Sequence, residues 1–273
     1  MDARELIRKG RLEEARKQAA EEVKSSPADL AKRTLLIQIL SFCGEWDKAE
    51  RHLEAVSSQD PGRETGVQIY RNLIRAEKER LQVVRQNTRP SFLPGPPAYL
   101  KALNAAWQNL LKGSGEQAEA FFYELQKKIP PNKGSLNGLP FEGLRDTDTA
   151  LAFFIEAFVH DRYVLLPFEA VRELVIQAPQ TLFDLLWTPA LITTWEGLSL
   201  NCYVPVLYPE SFRHEDDRIK LGRMTDWTSL GGSLTKGAGQ HVFQAGQDEW
   251  ALLDIRAVVF TGAASGENGE SAD

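Results

Sequence analysis

The stretch GEWDKA, residues 44–49, repeats the pattern of GRLEEA, residues 10–15, and this repeat decides the fold of the first half of the chain. In both stretches Gly comes first and Ala comes last, and a proline follows the Ala by twelve residues. Gly10 and Gly44 are 34 residues apart. That interval is the period of the tetratricopeptide repeat, a pair of antiparallel helices. The pattern therefore predicts helical hairpins.

Each residue type of the pattern has a physical role in a hairpin. Glycine allows the positive φ of a tight turn between two helices. Ala15 and Ala49 are small enough for a close helix crossing, and Leu12 and Trp46 can insert between the helices as apolar side chains. A proline then ends the second helix of the pair. The same spacing predicts stacked hairpins with a concave groove.

A third copy of the pattern begins at Gly113, with Ala118 and Pro130 at the same internal spacing. Three copies argue against a chance similarity between unrelated amphipathic hairpins. The interval before the third copy leaves room for one degenerate unit. Residues 63–86 have apolar positions at helical spacing but no internal Gly turn, so the segment is one long helix or two. An irregular, proline-rich connection follows at residues 87–100.

The second half of the chain has a different character. PNKGSLNGLP, residues 131–140, is a loop rich in Gly, Pro and Asn, and it predicts a domain boundary. Residues 146–159 predict one more helix, capped by Asp146 or Thr147. Several β-type runs follow, namely RYVLL, ELVIQ, ALITTW, NCYVPVLY, HVFQAG and WALLDIRAVVF, with short helices expected at PFEAVR and TLFDLLW.

The predicted fold class is a multidomain α+β protein. A tetratricopeptide-like α–α superhelix over residues 1–132 precedes a mainly antiparallel α+β domain over residues 133–262. The small, polar and acidic residues 263–273 are expected to form a disordered tail.

Composition restricts the classes of function. The formal net charge of −6 argues against general affinity for nucleic acid or anionic membranes. No apolar run approaches the roughly 20 residues of a membrane span. The charged start of the sequence lacks the apolar stretch of a signal peptide, and the two cysteines, Cys43 and Cys202, belong to no CxxC motif. These features predict a reducing, cytoplasmic location, with both cysteines as core residues.

Five blocks of the second half, in order, are PFEGLRDTD, RYVLLPFEAVRELVIQAP, LFDLLWTPA, VPVLYPES and LGRMTDW. Behind a tetratricopeptide-like half, this series resembles the ImpE family, also called TagJ, of bacterial type VI secretion accessory proteins. The resemblance extends to about Phe260. It implies a non-enzymatic adaptor that binds the N-terminal helix of the small contractile-sheath subunit. Through that subunit it implies a connection to the ATPase that disassembles the sheath.

The register of the repeat predicts which residues face the groove. On the helix before Gly44 they are Thr34, Gln38, Ser41 and Phe42, and on the helix before Gly113 they are Leu103, Trp107 and Leu110. Packing against a neighbouring hairpin or against the second domain is the alternative for each of them. Trp187 and Trp227, beside Asp184, Arg223 and Asp226, form either a polar core in which Arg223 pairs with an aspartate or a second partner surface.

Sites for chemistry are weakly indicated, and the sequence predicts no catalytic, cofactor or metal site. RHEDDR, residues 213–218, is interpreted as a solvated loop before a strand IKLG rather than a cation site. The glycine-rich SLGGSLTKGAG, residues 229–239, lacks the order of a phosphate-binding loop and predicts a flexible loop. Cys202 with a distant His is the weakest candidate for a nucleophile. The alternative function is a hydrolase-type enzyme that uses Asp146, Asp148 or His214.

Overall fold

The computed structural model describes residues 1–262, so the predicted tail at 263–273 lies outside the described residues. In this range the chain forms eight α-helices, seven of them before residue 130. They are α1 Ala3–Arg8, α2 Leu12–Ser25, α3 Leu30–Phe42, α4 Trp46–Gln59, α5 Glu64–Val84, α6 Leu100–Leu111, α7 Gly115–Lys128 and α8 Asp217–Lys220.

The strands follow almost entirely after residue 132. They are β1 Ser91–Phe92, β2 Lys133–Leu136, β3 Leu139–Glu142, β4 Leu144–Asp146, β5 Phe154–Val159, β6 Arg162–Pro167, β7 Val171–Ile176, β8 Trp187–Thr194, β9 Ser199–Pro205, β10 Thr225–Gly231, β11 Leu234–Gly239, β12 Val242–Ala245, β13 Asp248–Ala251 and β14 Ala257–Thr261.

The predicted hairpins are confirmed at α1–α2, α3–α4 and α6–α7. The turn glycines Gly10, Gly44 and Gly113 have φ of +74°, +69° and +70°, the left-handed conformation that favours glycine. Ala15, Ala49 and Ala118, which follow each turn, are fully buried, as close helix crossings require. The sequence pattern therefore specifies the turn and the crossing of each hairpin.

The segment between the second and third hairpins is the single long helix α5. The connection after it contributes β1, which pairs in parallel with β6, with Ser91 opposite Val164. This chain segment before residue 132 thus forms the edge strand of the largest sheet. Apolar side chains from the helices and from the strands form one continuous core.

In the described part of the chain, the largest sheet has nine strands in the order β1-β6-β5-β9-β8-β7-β14-β2-β3. All neighbours except β1 and β6 are antiparallel. A three-stranded sheet, β13-β12-β4, and the hairpin β10-β11 complete the second half. The mainly antiparallel α+β architecture agrees with the prediction.

The predicted helix at 146–159 is wrong. The segment ends β4, makes a short 3₁₀ turn at Thr149–Leu151 and continues as β5. The cap of that turn is Asp148, whose Oδ1 accepts from the Ala150 N–H at 2.9 Å. All but the last residue of β5 are buried, so the strand shows no alternation of apolar and polar residues.

Five smaller predictions are also wrong. The loop predicted at 131–140 forms most of the β2-β3 hairpin. The helical structure in PFEAVR and TLFDLLW is limited to short 3₁₀ turns, at Phe168–Ala170 and Phe183–Leu185, and terminal residues of both segments belong to strands. IKLG is not a strand, because Ile219 and Lys220 end α8, whose first turn is capped by Asp216, and Leu221 and Gly222 form the turn that follows. The predicted flexible loop at 229–239 forms most of the β10-β11 hairpin, because its glycines supply the turn at Gly231 and Gly232.

Candidate protein-binding cleft

The C-terminal end of the α3 surface that the repeat register assigns to the groove, at Ser41 and Phe42, is covered by the sheet domain. Ser41 and Phe42 are 3% and 1% exposed, and they line a void of only ≈ 30 Å³ together with Trp187 and Phe212. Thr34 and Gln38, on the same helix, are half-buried. The expected partner contacts of Ser41 and Phe42 are therefore corrected to core contacts between the helices and the sheet domain.

Trp187 is also a core residue and not a surface anchor. It is 2% exposed, and its Nε1–H donates to Glu77 Oε2 on α5 at 3.0 Å. The side chain of Phe183 stacks between Trp187 and Tyr70 of α5, with a centroid separation of 3.7 Å to Tyr70. The aromatic rings of the LFDLLW block thus pack against α5 and hold it in contact with the sheet.

The equivalent surface on α6 is open. A cleft of ≈ 850 Å³ lies between the end of α5, helix α6, the β10-β11 hairpin and the edge of the large sheet. We call it the α6 cleft. Its lining is mainly apolar and includes Val83, Val84, Trp107, Leu110, Leu111, Leu151, Leu165 and Leu230.

Two of the three predicted α6 residues line this cleft. Trp107 and Leu110 are half-buried in its wall, whereas Leu103 is fully buried beneath α6. The indole Nε1–H of Trp107 donates to the Ala150 carbonyl at 3.0 Å, which fixes the ring against the sheet domain. Leu111, which the sequence prediction missed, is 57% exposed at the mouth of the cleft.

A buried ionic network behind the α6 cleft joins α5 to the sheet domain. Arg80 donates from Nε and Nη2 to the two carboxylate oxygens of Glu156, at 2.7 and 2.5 Å, and from Nη1 to Glu77 at 3.3 Å. Tyr163 donates to Glu156 at 2.6 Å. Arg80 and Glu156 are 1% and 4% exposed, so each charge depends on the other for its stabilisation.

His241 extends this network to the predicted carboxylate pair. Its Nδ1 lies 2.7 Å from Asp146 Oδ2, and its Nε2 lies 3.1 Å from Glu156 Oε2. Asp146 Oδ1 accepts from the Tyr208 hydroxyl at 2.7 Å and from the Asp148 N–H at 2.7 Å. Protein groups therefore engage both ring nitrogens of His241 and both carboxylate oxygens of Asp146.

The pKa values in the network follow from burial and charge. Burial opposes the charged imidazole, but Asp146 and Glu156 outweigh that effect and raise the pKa of His241 to about 9. Burial and the neighbouring Asp146 charge raise the pKa of Asp148, which lines the α6 cleft, to about 6. Burial alone would raise the pKa of Glu156, but Arg80 and His241 hold it well below its usual range.

Trp227 lies in a second, more polar cleft of ≈ 670 Å³ between α7 and the β10-β11 hairpin. It is 40% exposed, and its Nε1–H donates to Thr147 Oγ1 at 3.2 Å. Within residues 1–262, Arg223 forms no ion pair with an aspartate, contrary to the expectation. Its guanidinium donates to the carbonyls of Ile7 and Arg8 at 2.6 and 2.8 Å, and so caps the C-terminal end of α1.

Of the three residues of the alternative hydrolase site, Asp146 and Asp148 lie together and His214 does not. His214 is separate from Asp146 and Asp148: its Nε2 lies 3.4 Å from Asp226 Oδ2, and its Nδ1 accepts from the Asp216 N–H. Within residues 1–262, His, Cys, Asp and Glu form no group of three or more that could hold a metal. Cys202 is a buried residue of β9, and burial raises the pKa of its thiol to about 12.

Sequence reasoning missed the network residues Glu77, Arg80, Glu156 and His241. One signal was present in α5, where Glu77 and Arg80 share a helical face with the apolar Leu73, Ile74 and Leu81. Two charges on an apolar face indicate a buried pair. Their partners Glu156 and His241 lie 76 and 161 residues from Arg80, with no local pattern to mark them.

Among the helices of residues 1–262, none is long and apolar enough to cross a membrane. A family model described as ImpE protein matches residues 138–259. Over 260 residues the chain is 34% identical to the type VI secretion system accessory component TagJ of Pseudomonas aeruginosa. This match covers 95% of this chain and 91% of that protein. The crystal structure of protein VPA1032 from Vibrio parahaemolyticus has the same fold, with a TM-score of 0.87 at 22% identity, over 96% of this chain and 98% of that one.

Proposed function

This chain belongs to the ImpE family, and on that premise we propose that it is a non-enzymatic, cytoplasmic accessory component of type VI secretion that binds the N-terminal helix of the small sheath subunit. Its helical hairpins act as tetratricopeptide-like units in this proposal. Through the sheath subunit it is connected to the ATPase that disassembles the sheath. The family relationship supports the accessory role.

The open α6 cleft carries the proposal, because it is where the predicted groove register meets accessible apolar surface. An amphipathic helix docks by laying its apolar face into a groove of this kind. Trp107 is held in place by its bond to Ala150, so little side-chain entropy is lost when a partner packs on it. Leu110 and Leu111 extend the apolar surface along the same helix.

The geometry of the ionic network also favours an adaptor over the hydrolase alternative. Asp146 and His241 are each 3% exposed, and their polar atoms are occupied by neighbouring protein groups. A general acid or base must reach the proton that it transfers. In this arrangement the charges serve to join α5 to the sheet domain that forms one wall of the cleft.

The proposal is tested by titrating a peptide of the N-terminal sheath-subunit helix into the protein and into Leu111→Glu. Leu139→Glu is the matched control, because Leu139 is 58% exposed on β3 and lies outside the cleft lining, whereas Leu111 is 57% exposed within it. The bound helix would bury the introduced Glu charge in the cleft of Leu111→Glu. This should weaken binding at least about tenfold. Leu139→Glu should bind as the parent does. Equal affinity of all three proteins would place the partner elsewhere.

A further inference from the structure

The mouth of the α6 cleft carries positive charge, although the chain as a whole has a net charge of −6. Of the lining residues within 1–262, the charged ones are Arg89, Lys236 and the buried Asp148. Arg89 is exposed and makes no ion pair in the described part of the chain. The side chain of Lys236 is 44% exposed. The charges that a ligand meets at the mouth are therefore cationic.

Lys236, one of the two cations in the cleft lining, shares a single carboxylate, that of Glu210, with two arginines that lie outside the lining. Glu210, next to the lining residue Pro209, lies 3.0 Å from Arg85, 3.2 Å from Arg213 and 3.3 Å from Lys236. One carboxylate neutralises one cation, so this group keeps a positive excess. We call the two cations of the cleft lining, Arg89 and Lys236, the basic rim; Arg85 and Arg213 share Glu210 with Lys236 but lie outside the lining.

From this arrangement we infer that the α6 cleft selects an amphipathic helix with carboxylates along the edge that meets the basic rim. The inference rests on the proposed function and adds the chemistry of the partner: an apolar face for Trp107, Leu110 and Leu111, and Asp or Glu beside it. Apolar contact supplies most of the affinity in such a complex. Charge complementarity supplies specificity, orientation and a faster association.

The overall charge of the protein makes this preference diagnostic. A net charge of −6 repels an acidic peptide and attracts a basic one at long range. A preference for acidic peptides therefore cannot come from the average field of the protein, and it has to come from a local surface. Salt at 0.1 M screens exposed charges beyond about 10 Å, so the local preference should persist there and shrink at higher salt.

The test uses two designed helical peptides with the same leucines at i, i+3, i+4 and i+7 spacing, one flanked by Glu and the other by Lys. Calorimetric titration of the parent protein should give at least about fivefold tighter binding of the Glu peptide. Arg89→Glu should abolish or reverse that preference. Arg51→Glu is the matched control, since Arg51 is an exposed arginine of α4 outside the cleft lining, and it should keep the preference.

The outcomes separate this inference from the proposed function. If both peptides bind the parent equally, the charge selection is wrong while the cleft still holds a helix. If neither peptide binds, the charge selection is wrong, and the titration with the sheath-subunit helix decides the proposed function separately. If Arg51→Glu and Arg89→Glu lose the preference for the Glu peptide equally, the preference comes from long-range charge. The inference that the basic rim selects the peptide would then be wrong. Melting curves of both variants should match the parent, because both side chains are exposed.

Discussion

Helices α3 and α6 occupy the same position in two copies of one sequence pattern, yet one surface is closed and the other is open. Phe42 lies two residues before Gly44, and Leu111 lies two residues before Gly113. Phe42 is 1% exposed and Leu111 is 57% exposed. The register of the repeat places both side chains on corresponding faces, but the sheet domain covers only the first. Repeat register thus predicts a face, and the neighbouring domain decides whether a partner can reach it.

The glycine turns show the same difference. A Cβ atom added to Gly44 would lie 2.4 Å from a ring carbon of Phe212, whereas one added to Gly113 would have no neighbour within 4 Å. Phe212 also makes an edge contact with Trp46, at a centroid distance of 5.1 Å. At the α3–α4 turn, glycine is required both by the backbone and by the approach of the sheet domain. At the α6–α7 turn, the backbone alone requires it.

The largest expected loss of stability comes from truncating a side chain on the closed α3 surface. Phe42→Ala should lower the free energy of unfolding by about 3–5 kcal/mol, because it leaves a cavity between α3 and the sheet domain. Leu111→Ala should change it by less than about 0.5 kcal/mol, since its side chain is mostly exposed. Urea denaturation measures both. Similar losses in the two variants would contradict the difference between closed and open surfaces.

Alanine substitutions at the two turn glycines compare the α3–α4 and α6–α7 hairpins through smaller expected losses of stability. Gly113→Ala should cost about 1–2 kcal/mol, because alanine is disfavoured at positive φ. Gly44→Ala should cost about 1–3 kcal/mol more, because its methyl group would also overlap Phe212. Thermal and urea unfolding of both variants gives the two values. A Gly44→Ala protein no less stable than Gly113→Ala would mean that Phe212 does not close this turn.

A smaller effect is expected from pH, through the network that holds α5 against the sheet. The pKa of His241 is raised to about 9 in the folded protein from an ordinary value of 6.5. The folded state therefore binds more protons than the unfolded state between these values. This contribution is fully present below pH 6.5 and is lost as the pH rises through 9. It should amount to about 1–2 kcal/mol between pH 7 and 9.

Urea denaturation at a series of pH values measures this contribution. His241→Gln should have a flatter dependence in the same range, even if its stability is lower throughout. The result that contradicts the assignment is a parent protein whose stability rises between pH 7 and 9, or a variant whose slope equals that of the parent.

The sequence predicted the hairpins because their requirements are local. A turn at positive φ needs Gly, and a close crossing needs Ala, so Gly10 and Ala15 can be identified without knowing the rest of the fold. In the second half, β6 to β9, β12 and β14 were predicted from their β-branched and aromatic residues, whereas β2, β3, β4, β10 and β11 were not. β5 was missed because FIEAFV is buried almost throughout, and its period therefore did not show.

The candidate site could be predicted only in part, because it is made by contacts between distant segments. Trp107 and Leu110 followed from the register of the repeat, and they do line the open cleft. Nothing near Phe42 in the sequence indicates that Phe212 will cover it. The opposite wall of the α6 cleft, at Leu165 and Leu230, is likewise distant in the chain. Surface accessibility of a predicted groove depends on such contacts and not on the repeat itself.

The central claim is that the partner helix binds at the open α6 surface and not at the closed α3 surface. Hydrogen exchange, measured by mass spectrometry with and without the N-terminal sheath-subunit helix, tests it directly. Bound peptide should slow exchange in α6, Leu100–Leu111, and in residues 83–90, and leave α3, Leu30–Phe42, unchanged. Protection in α3 with unchanged exchange in α6 would contradict the claim.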